Sequence, residues 1–185
     1  MTTTILTLVG SLREGSINRQ LAEAAKEHAP EAVNVVTFDR LSEVPFYNED
    51  IDNDADRPKS ADDLRAAAAD ADALLLVSPE YNGTMPAVLK NAIDWLSRPY
   101  GAGAISGKPT AVISSSPSAN AGRWAKEDTA KAARIAGASV LDDVDLAIGG
   151  IVAAIDGAHP RENSQIASDI ADVVTALTGT ALVDA

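Results

Sequence analysis

The 185-residue chain contains no cysteine, which removes disulfides, thiolate catalysis and cysteine–zinc sites at once and suits a cytoplasmic protein. Long hydrophobic runs are missing too: none reaches the roughly 18 residues that a membrane-spanning helix requires. The opening Met1-Thr2-Thr3-Thr4-Ile5 has no basic stretch and runs directly into a strand pattern, so no signal peptide is expected. Positive charge is scarce, with 15 Lys and Arg against 27 Asp and Glu and a formal net charge of −12. That balance argues against nucleic acid, whose phosphates must be met by cations, and against an anionic membrane surface. It describes a solvated acidic exterior. Histidine is sparse as well: His28 is expected at a helix end and His159 in a surface turn. With no G-x-S-x-G elbow and no metal-ligand spacing, neither a Ser–His–Asp hydrolase nor a metal site is expected.

What is present is an alternation. The hydrophobic fraction is 46%, ordinary for a globular protein, and the length suits one domain over residues 1–185. Near-continuous apolar runs at Ile5–Val9, Val33–Phe38, Ala73–Ser78, Thr110–Ser114 and roughly Ser139–Leu146 predict strands buried on both faces of a parallel sheet. Helical periodicity lies between them. Ile17, Leu21, Ala24, Ala25 and His28 repeat at helical spacing. Ser60 is expected to cap a helix over Leu64–Ala71. Pro86 fits the first turn of a third helix, in which Val88, Leu89, Ala92, Ile93, Trp95 and Leu96 share an apolar arc opposite Lys90, Asn91, Asp94 and Arg98. Arg123–Ala136 is expected to stop at Gly137, and a last helix over Ile166–Leu177 to end near Gly179. Such alternation implies an α/β fold with helices on both faces.

Polar loops follow three of the predicted strands. The first runs Gly10-Ser11-Leu12-Arg13-Glu14-Gly15-Ser16-Ile17-Asn18, the second Pro79-Glu80-Tyr81-Asn82-Gly83-Thr84-Met85-Pro86, and the third Ser114-Ser115-Ser116-Pro117-Ser118-Ala119-Asn120-Ala121-Gly122. Ligands in open α/β sheets sit where strand ends meet helix starts. The first loop lacks the middle glycine of the G-x-G-x-x-G fingerprint, and Ser16 stands where a Walker loop needs Lys. Its hydroxyls, amide and guanidinium, entering a helix N-terminus, favour a terminal phosphate. The second loop offers backbone amides and an aromatic ring to a flat heterocycle. The segment Asp39–Lys59 is irregular, and its run Asp50–Asp56 is expected to be a solvated acidic loop, since Ala55 and Ala61 stand where an EF-hand needs Gly and Glu. A receiver-type signalling domain would need acidic residues where Gly10-Ser11 and Ser78-Pro79 stand.

These residues resemble a family. Gly10-Ser11-Leu12-Arg13 through Ser16-Ile17-Asn18, Pro79-Glu80-Tyr81-Asn82-Gly83, Leu89 through Arg98, the loop Val44 through Asp50 and Gly107-Lys108-Pro109 are together similar to the NAD(P)H-dependent FMN reductases, which include quinone, azo-dye and chromate reductases. The resemblance covers about residues 4–136. It implies a flavodoxin-like three-layer α/β sandwich with a five-stranded parallel sheet of order 2-1-3-4-5, and FMN as cofactor with NADH or NADPH as co-substrate. It implies that Ser11, Arg13, Ser16 and Asn18 hold the FMN phosphate, that Pro79, Glu80, Tyr81 and Asn82 line the ribityl chain and isoalloxazine, that Ile17 and Gly83 also bind the cofactor, and that Ser116 approaches from the third loop. A small-molecule electron acceptor and a homodimer or tetramer are implied as partners, with no side chain acting as an acid or base. Relatives often carry Gly-Gly where this chain has Ala121-Gly122. A flavodoxin-type electron carrier serving protein partners is the rival reading.

Overall fold

A computed structural model describes residues 2–144 and 146–183. In chain order the elements are β1 (Thr3–Val9), α1 (Ile17–Glu27), β2 (Val33–Thr37), 3-10 turns at Leu41–Glu43 and Glu49–Ile51, α2 (Lys59–Asp70), β3 (Ala73–Pro79), α3 (Ala87–Leu96), β4 (Pro109–Ser116), α4 (Arg123–Ile135), β5 (Ser139–Val140), β6 (Leu146–Gly149), α5 (Ile151–Ile155), a 3-10 turn at Pro160–Glu162 and α6 (Ser164–Val183). The sheet runs β2-β1-β3-β4-β5 with β6 also on β4, and every pairing is parallel. The expected order stands.

The apolar runs divide between two cores because successive strand residues face opposite ways. Ile5, Val9, Leu75, Val77, Ala111 and Ile113 pack against α1 and α6. Leu6, Leu8, Leu74, Leu76 and Val112 pack against α2, α3 and α4. All seven residues of β3 and all eight of β4 are buried, as covered parallel strands require.

The fifth strand differs from expectation. Instead of one run near Ser139–Leu146, Ser139 and Val140 pair with Pro109 and Thr110, and a second piece, Leu146–Gly149, pairs with Ile113–Ser116. Between them the chain leaves the sheet at Asp142 and Asp143, both exposed, because carboxylates have no place in a doubly covered strand. Asp142 pairs instead with Arg134. Asp145, within the expected strand, lies outside the described residues.

Helix ends show smaller corrections. Ser60 does not cap α2. Pro58 precedes the helix, its carbonyl receiving the Ala61 and Asp62 N–H groups, while the Ser60 hydroxyl donates to the Glu43 carbonyl at 2.9 Å. Pro86 is the N-cap of α3, one position before its first turn. Gly137 ends α4 as expected: with φ 106°, its N–H reaches the Arg134 carbonyl and that of Ala138 the Ala133 carbonyl, the paired bonds of a Schellman stop. α6 runs through Gly179 to Val183, since one interior glycine costs only about 1 kcal/mol.

The segment after β2 is the largest departure, and it is neither loose nor simply solvated. The Asp52 carboxylate sits between Arg65, at 2.7 Å from both Nη atoms, and Arg57 at 2.9 Å. The Arg65 hydrogen bonds hold its carboxyl well below the ordinary range, to about 2, against a smaller opposing push from burial. Arg65 also donates to the Trp95 carbonyl, and the Trp95 indole N–H to that of Pro45 at 2.7 Å. Asn91, expected on the solvent face of α3, is buried instead. Its amide donates to the Val44 and Pro45 carbonyls and accepts the Tyr47 N–H at 2.8 Å. The segment crosses that face of α3, so the polar position became an internal bracket.

Candidate active site

β1, β3 and β4 are neighbours, so their following loops lie side by side at the carboxyl edge. The sheet order reverses between β1 and β3, the place where such sheets bind ligands. The Gly10 N–H donates to the Val77 carbonyl at 2.8 Å. A Cβ at Gly10 would stand 3.1 Å from both Pro79 Cδ and Pro86 Cγ, so a larger residue would press the first two loops a few tenths of an ångström apart.

The first loop ends at Ser16, the N-cap of α1, whose hydroxyl accepts the Asn18 N–H at 3.2 Å. Gly15 makes the turn with φ 64°. Ser11, Ser16 and Asn18 are buried, Ile17 packs on the core, and Arg13 is exposed beside Glu14. Arg13 makes no ion pair among the described residues, alone in its loop as a cation in an acidic protein. The Asn18 side-chain oxygen accepts from the Ser115 hydroxyl of β4 at 3.2 Å, which leaves the side-chain amide N–H groups uncommitted among the described residues.

In the second loop, Tyr81 and Thr84 exchange both backbone hydrogen bonds, at 3.1 and 3.2 Å, across Asn82 (φ 53°) and Gly83 (φ 76°). Two left-handed central residues make this a type I′ turn, for which Asn-Gly is the preferred pair. Tyr81 stands half exposed. The Glu80 carboxylate reaches sideways: its Oε2 accepts from the Ala125 N–H at 3.3 Å and from Asn120 at 3.4 Å, and so meets the positive end of α4. Thr84 Oγ1 donates to Asp128 Oδ2 at 2.6 Å. In the third loop Ser116 is buried and bonded to the Ser118 hydroxyl and N–H. Ala121 takes the left-handed conformation (φ 62°) ahead of Gly122 (φ 73°).

The predicted site residues therefore fall on adjacent loops of one sheet edge. Ser115 adds to them; strand alternation, which turns it toward α1 while Ser116 faces the other way, is the signal that marks it. His28 caps the C-terminal end of α1, and His159 heads a 3-10 turn with its Nε2 3.1 Å from Glu23. Among the described residues no three carboxylates or histidines are grouped to hold a metal ion. The donor set fits a phosphorylated ligand: buried hydroxyls, an uncommitted amide, one exposed guanidinium and a helix start at which Ser16 takes up only the Asn18 N–H. The nearby Glu80 carboxylate is already engaged by α4.

A parallel sheet of this order, with a serine-lined first loop and a tyrosine-bearing turn at its switch point, defines a flavodoxin-like protein. Residues 3–153 match the NADPH-dependent FMN reductase family, and the chain belongs to it. It is 47% identical over 118 residues to a quinone reductase of Pseudomonas putida, a match covering 64% of this chain and 62% of that protein. It is 46% identical over 112 residues to a 2-hydroxy-1,4-benzoquinone reductase of a Burkholderia species, covering 60% of each. The matched stretch thus spans less than two thirds of these relatives. Among solved structures, the flavoenzyme NAD(P)H:(acceptor) oxidoreductase FerB of Paracoccus denitrificans aligns with a TM-score of 0.83 at 30% identity, covering 95% of both chains.

Proposed function

We propose that this chain, acting over residues 1–185 as one FMN-binding domain, is an oxidoreductase that passes two electrons from NADH or NADPH to a quinone-like, azo or other small acceptor. The observation that carries this reading is the junction of three loops at the switch point, with uncommitted donors on the first and a rigid, ring-bearing turn on the second. Ser11, Arg13, Ser16, Ile17 and Asn18 would hold the FMN phosphate. Pro79, Tyr81, Asn82 and Gly83 would line the ribityl chain and ring, with Glu80 bracing that wall through α4 and Ser116 closing it from the third loop. FMN supplies the two-electron redox chemistry when bound; the protein supplies binding, orientation and electrostatics. Ser16 would set the first turn of α1 toward the phosphate, with Ser115 orienting the Asn18 amide.

Two further parts belong to the same reading. A groove of about 420 Å³ between α3 and α4, lined in part by Met85, Ile93, Ala132 and Ile135, supports a homodimer, or a tetramer built from dimers. Light scattering that finds a monomer at micromolar concentration would remove it. The lack of cysteine supports a cytoplasmic place, and among the described residues no helix is long and apolar enough to cross a membrane; cell fractionation tests the location.

The deciding experiment is chromatography of the flavin released on denaturation, followed by anaerobic additions of NADH and NADPH. FMN release and fast oxidation of either nucleotide with a quinone present are expected. FAD as the sole flavin would overturn the phosphate assignment. Bound FMN with no nucleotide oxidation would favour the electron carrier, a role that the net charge of −12 also suits.

A further inference from the structure

The chain has two tryptophans, in opposite circumstances. Trp95 is fully buried, whereas Trp124, the second residue of α4, is 56% exposed. Exposure by itself says little, since single apolar side chains are common on surfaces. What distinguishes Trp124 is where it is held. A Cβ at Gly83 would lie 3.3 Å from its Cε3 and 3.8 Å from its Cζ3, so the benzo edge of the indole occupies the space that glycine leaves open. Two tethers fix the start of α4 to the same turn. Glu80 accepts from the N–H of Ala125, next to the tryptophan, and Thr84 donates to Asp128, one helical turn further on. The tethers start from residues on either side of Tyr81-Asn82-Gly83 and end close to Trp124. An aromatic plane that is half bare and held against a rigid turn is preorganised to receive another flat ring.

We propose that Trp124 is a specificity-determining residue: the aromatic side wall of the acceptor space, on which a flat ring stacks as it lies beside the Tyr81–Gly83 turn. The acceptors it selects are planar aromatic or quinone rings over compact, non-planar oxidants. The inference rests on the flavin reading of that turn, so flavin content is measured first. A colourless protein overturns both, and a flavin-loaded protein indifferent to Trp124 overturns this one alone.

The test compares flavin-loaded wild type with Trp124→Ala, Trp124→Leu and Trp124→Phe. Binding of naphthalene-2-sulfonate, a flat and redox-inert probe, is read from its perturbation of the flavin absorbance. Aromatic pairing contributes enough that Trp124→Ala and Trp124→Leu should raise the probe Kd roughly two- to tenfold, with Trp124→Phe close to wild type. The ratio of kcat/KM for a naphthoquinone to that for ferricyanide should fall by the same factor. Leucine restores bulk without a ring, so a Leu variant that behaves as wild type would overturn stacking. An unchanged probe Kd in Trp124→Ala would overturn the wall. Equal losses for naphthoquinone and ferricyanide would reduce Trp124 to general support, and a changed sedimentation coefficient with unchanged probe affinity would make it a subunit contact; either overturns the proposal.

Discussion

The segment after β2 and the loops at the carboxyl edge are both irregular, yet they are held by opposite means. The former is a closed circuit of strong interactions: Asp52 serves two arginines, Arg65 reaches the Trp95 carbonyl, Trp95 and Asn91 bond the segment's backbone, and the Tyr47 ring meets Trp95 edge-on at 5.0 Å. The Asp52, Arg57, Arg65, Asn91 and Trp95 groups are spent on the protein itself. The edge loops are held by glycines, a tight turn and hydroxyl contacts, with the Glu80 and Asp128 carboxylates tying the second loop to α4, and they leave Arg13 and the Asn18 amide N–H groups uncommitted among the described residues. A segment that braces exhausts its polar groups, whereas one that receives a ligand keeps some in reserve.

That contrast can be broken by mutation, and the largest effect is expected in the brace. Trp95→Ala should cost about 3–5 kcal/mol of stability, as for other buried aromatic truncations, and leave the Pro45 carbonyl to Asn91 alone. Urea denaturation checks it, and a loss under about 1 kcal/mol would mean that the segment is held elsewhere.

Asp52→Ala comes next, at about 2–3 kcal/mol, because it takes from Arg65 its carboxylate partner and leaves Arg57 only Asp62 and Asp54; these remaining partners and the partial exposure of the arginines put it below the range for fully buried pairs. Its pH dependence has a definite sign. The Asp52 carboxyl is held at about 2, below its ordinary 3.8, so its contribution is complete above about pH 4 and is lost as pH falls toward 2. The stability gap between wild type and Asp52→Asn should therefore narrow by about 1–2 kcal/mol over that window. A gap independent of pH would show that the carboxylate charge is immaterial.

At the edge, Arg13→Ala should weaken FMN binding by roughly 10- to 100-fold, the worth of a charge-assisted hydrogen bond, while apoprotein stability moves by no more than about 0.5 kcal/mol. Nucleotide oxidation at saturating FMN should largely recover. Flavin titration beside thermal melting separates the outcomes, and a destabilised apoprotein with normal affinity would move Arg13 to the bracing class. Ser115→Ala should be the mildest, about 1 kcal/mol of stability or less, with a few-fold loss of FMN affinity as the Asn18 amide loses its orientation. An affinity loss equal to that of Arg13→Ala would mean that the hydroxyl meets the phosphate itself.

Much of this was legible from residue types alone. Strands covered on both faces read as unbroken apolar runs, and β1, β3 and β4 stand where those runs lie. The edge loops were legible because Gly, Ser and Asn at strand ends have local reasons to be there. Partnerships across the chain were not. Ser115 meets Asn18 from 97 positions away, a pairing that depends on the β3–β4 register. Asn91 reads as a solvent-facing helix residue until the segment after β2 is laid over it, and Asp52 reads as one carboxylate among several until two arginines converge on it. Ser60 has the right chemistry for a cap, but Pro58 had already begun the helix. At the fifth strand β-propensity persisted through Leu141 and Val144, and the carboxylates between them decided the break.

That break has a consequence for how the molecules behave in a crowd. The margin of a sheet is a template on which a stray extended chain can crystallise, residue by residue, into a growing fibre. Here one margin comes in instalments of two and four residues, interrupted by two exposed carboxylates of like sign. An incoming strand could not zip far before meeting a gap, and a second copy of this margin would meet the negative charge of Asp143, Asp142 being paired with Arg134. The interruption that cost the fifth strand its continuity should keep concentrated solutions clear where an unbroken edge would seed aggregation.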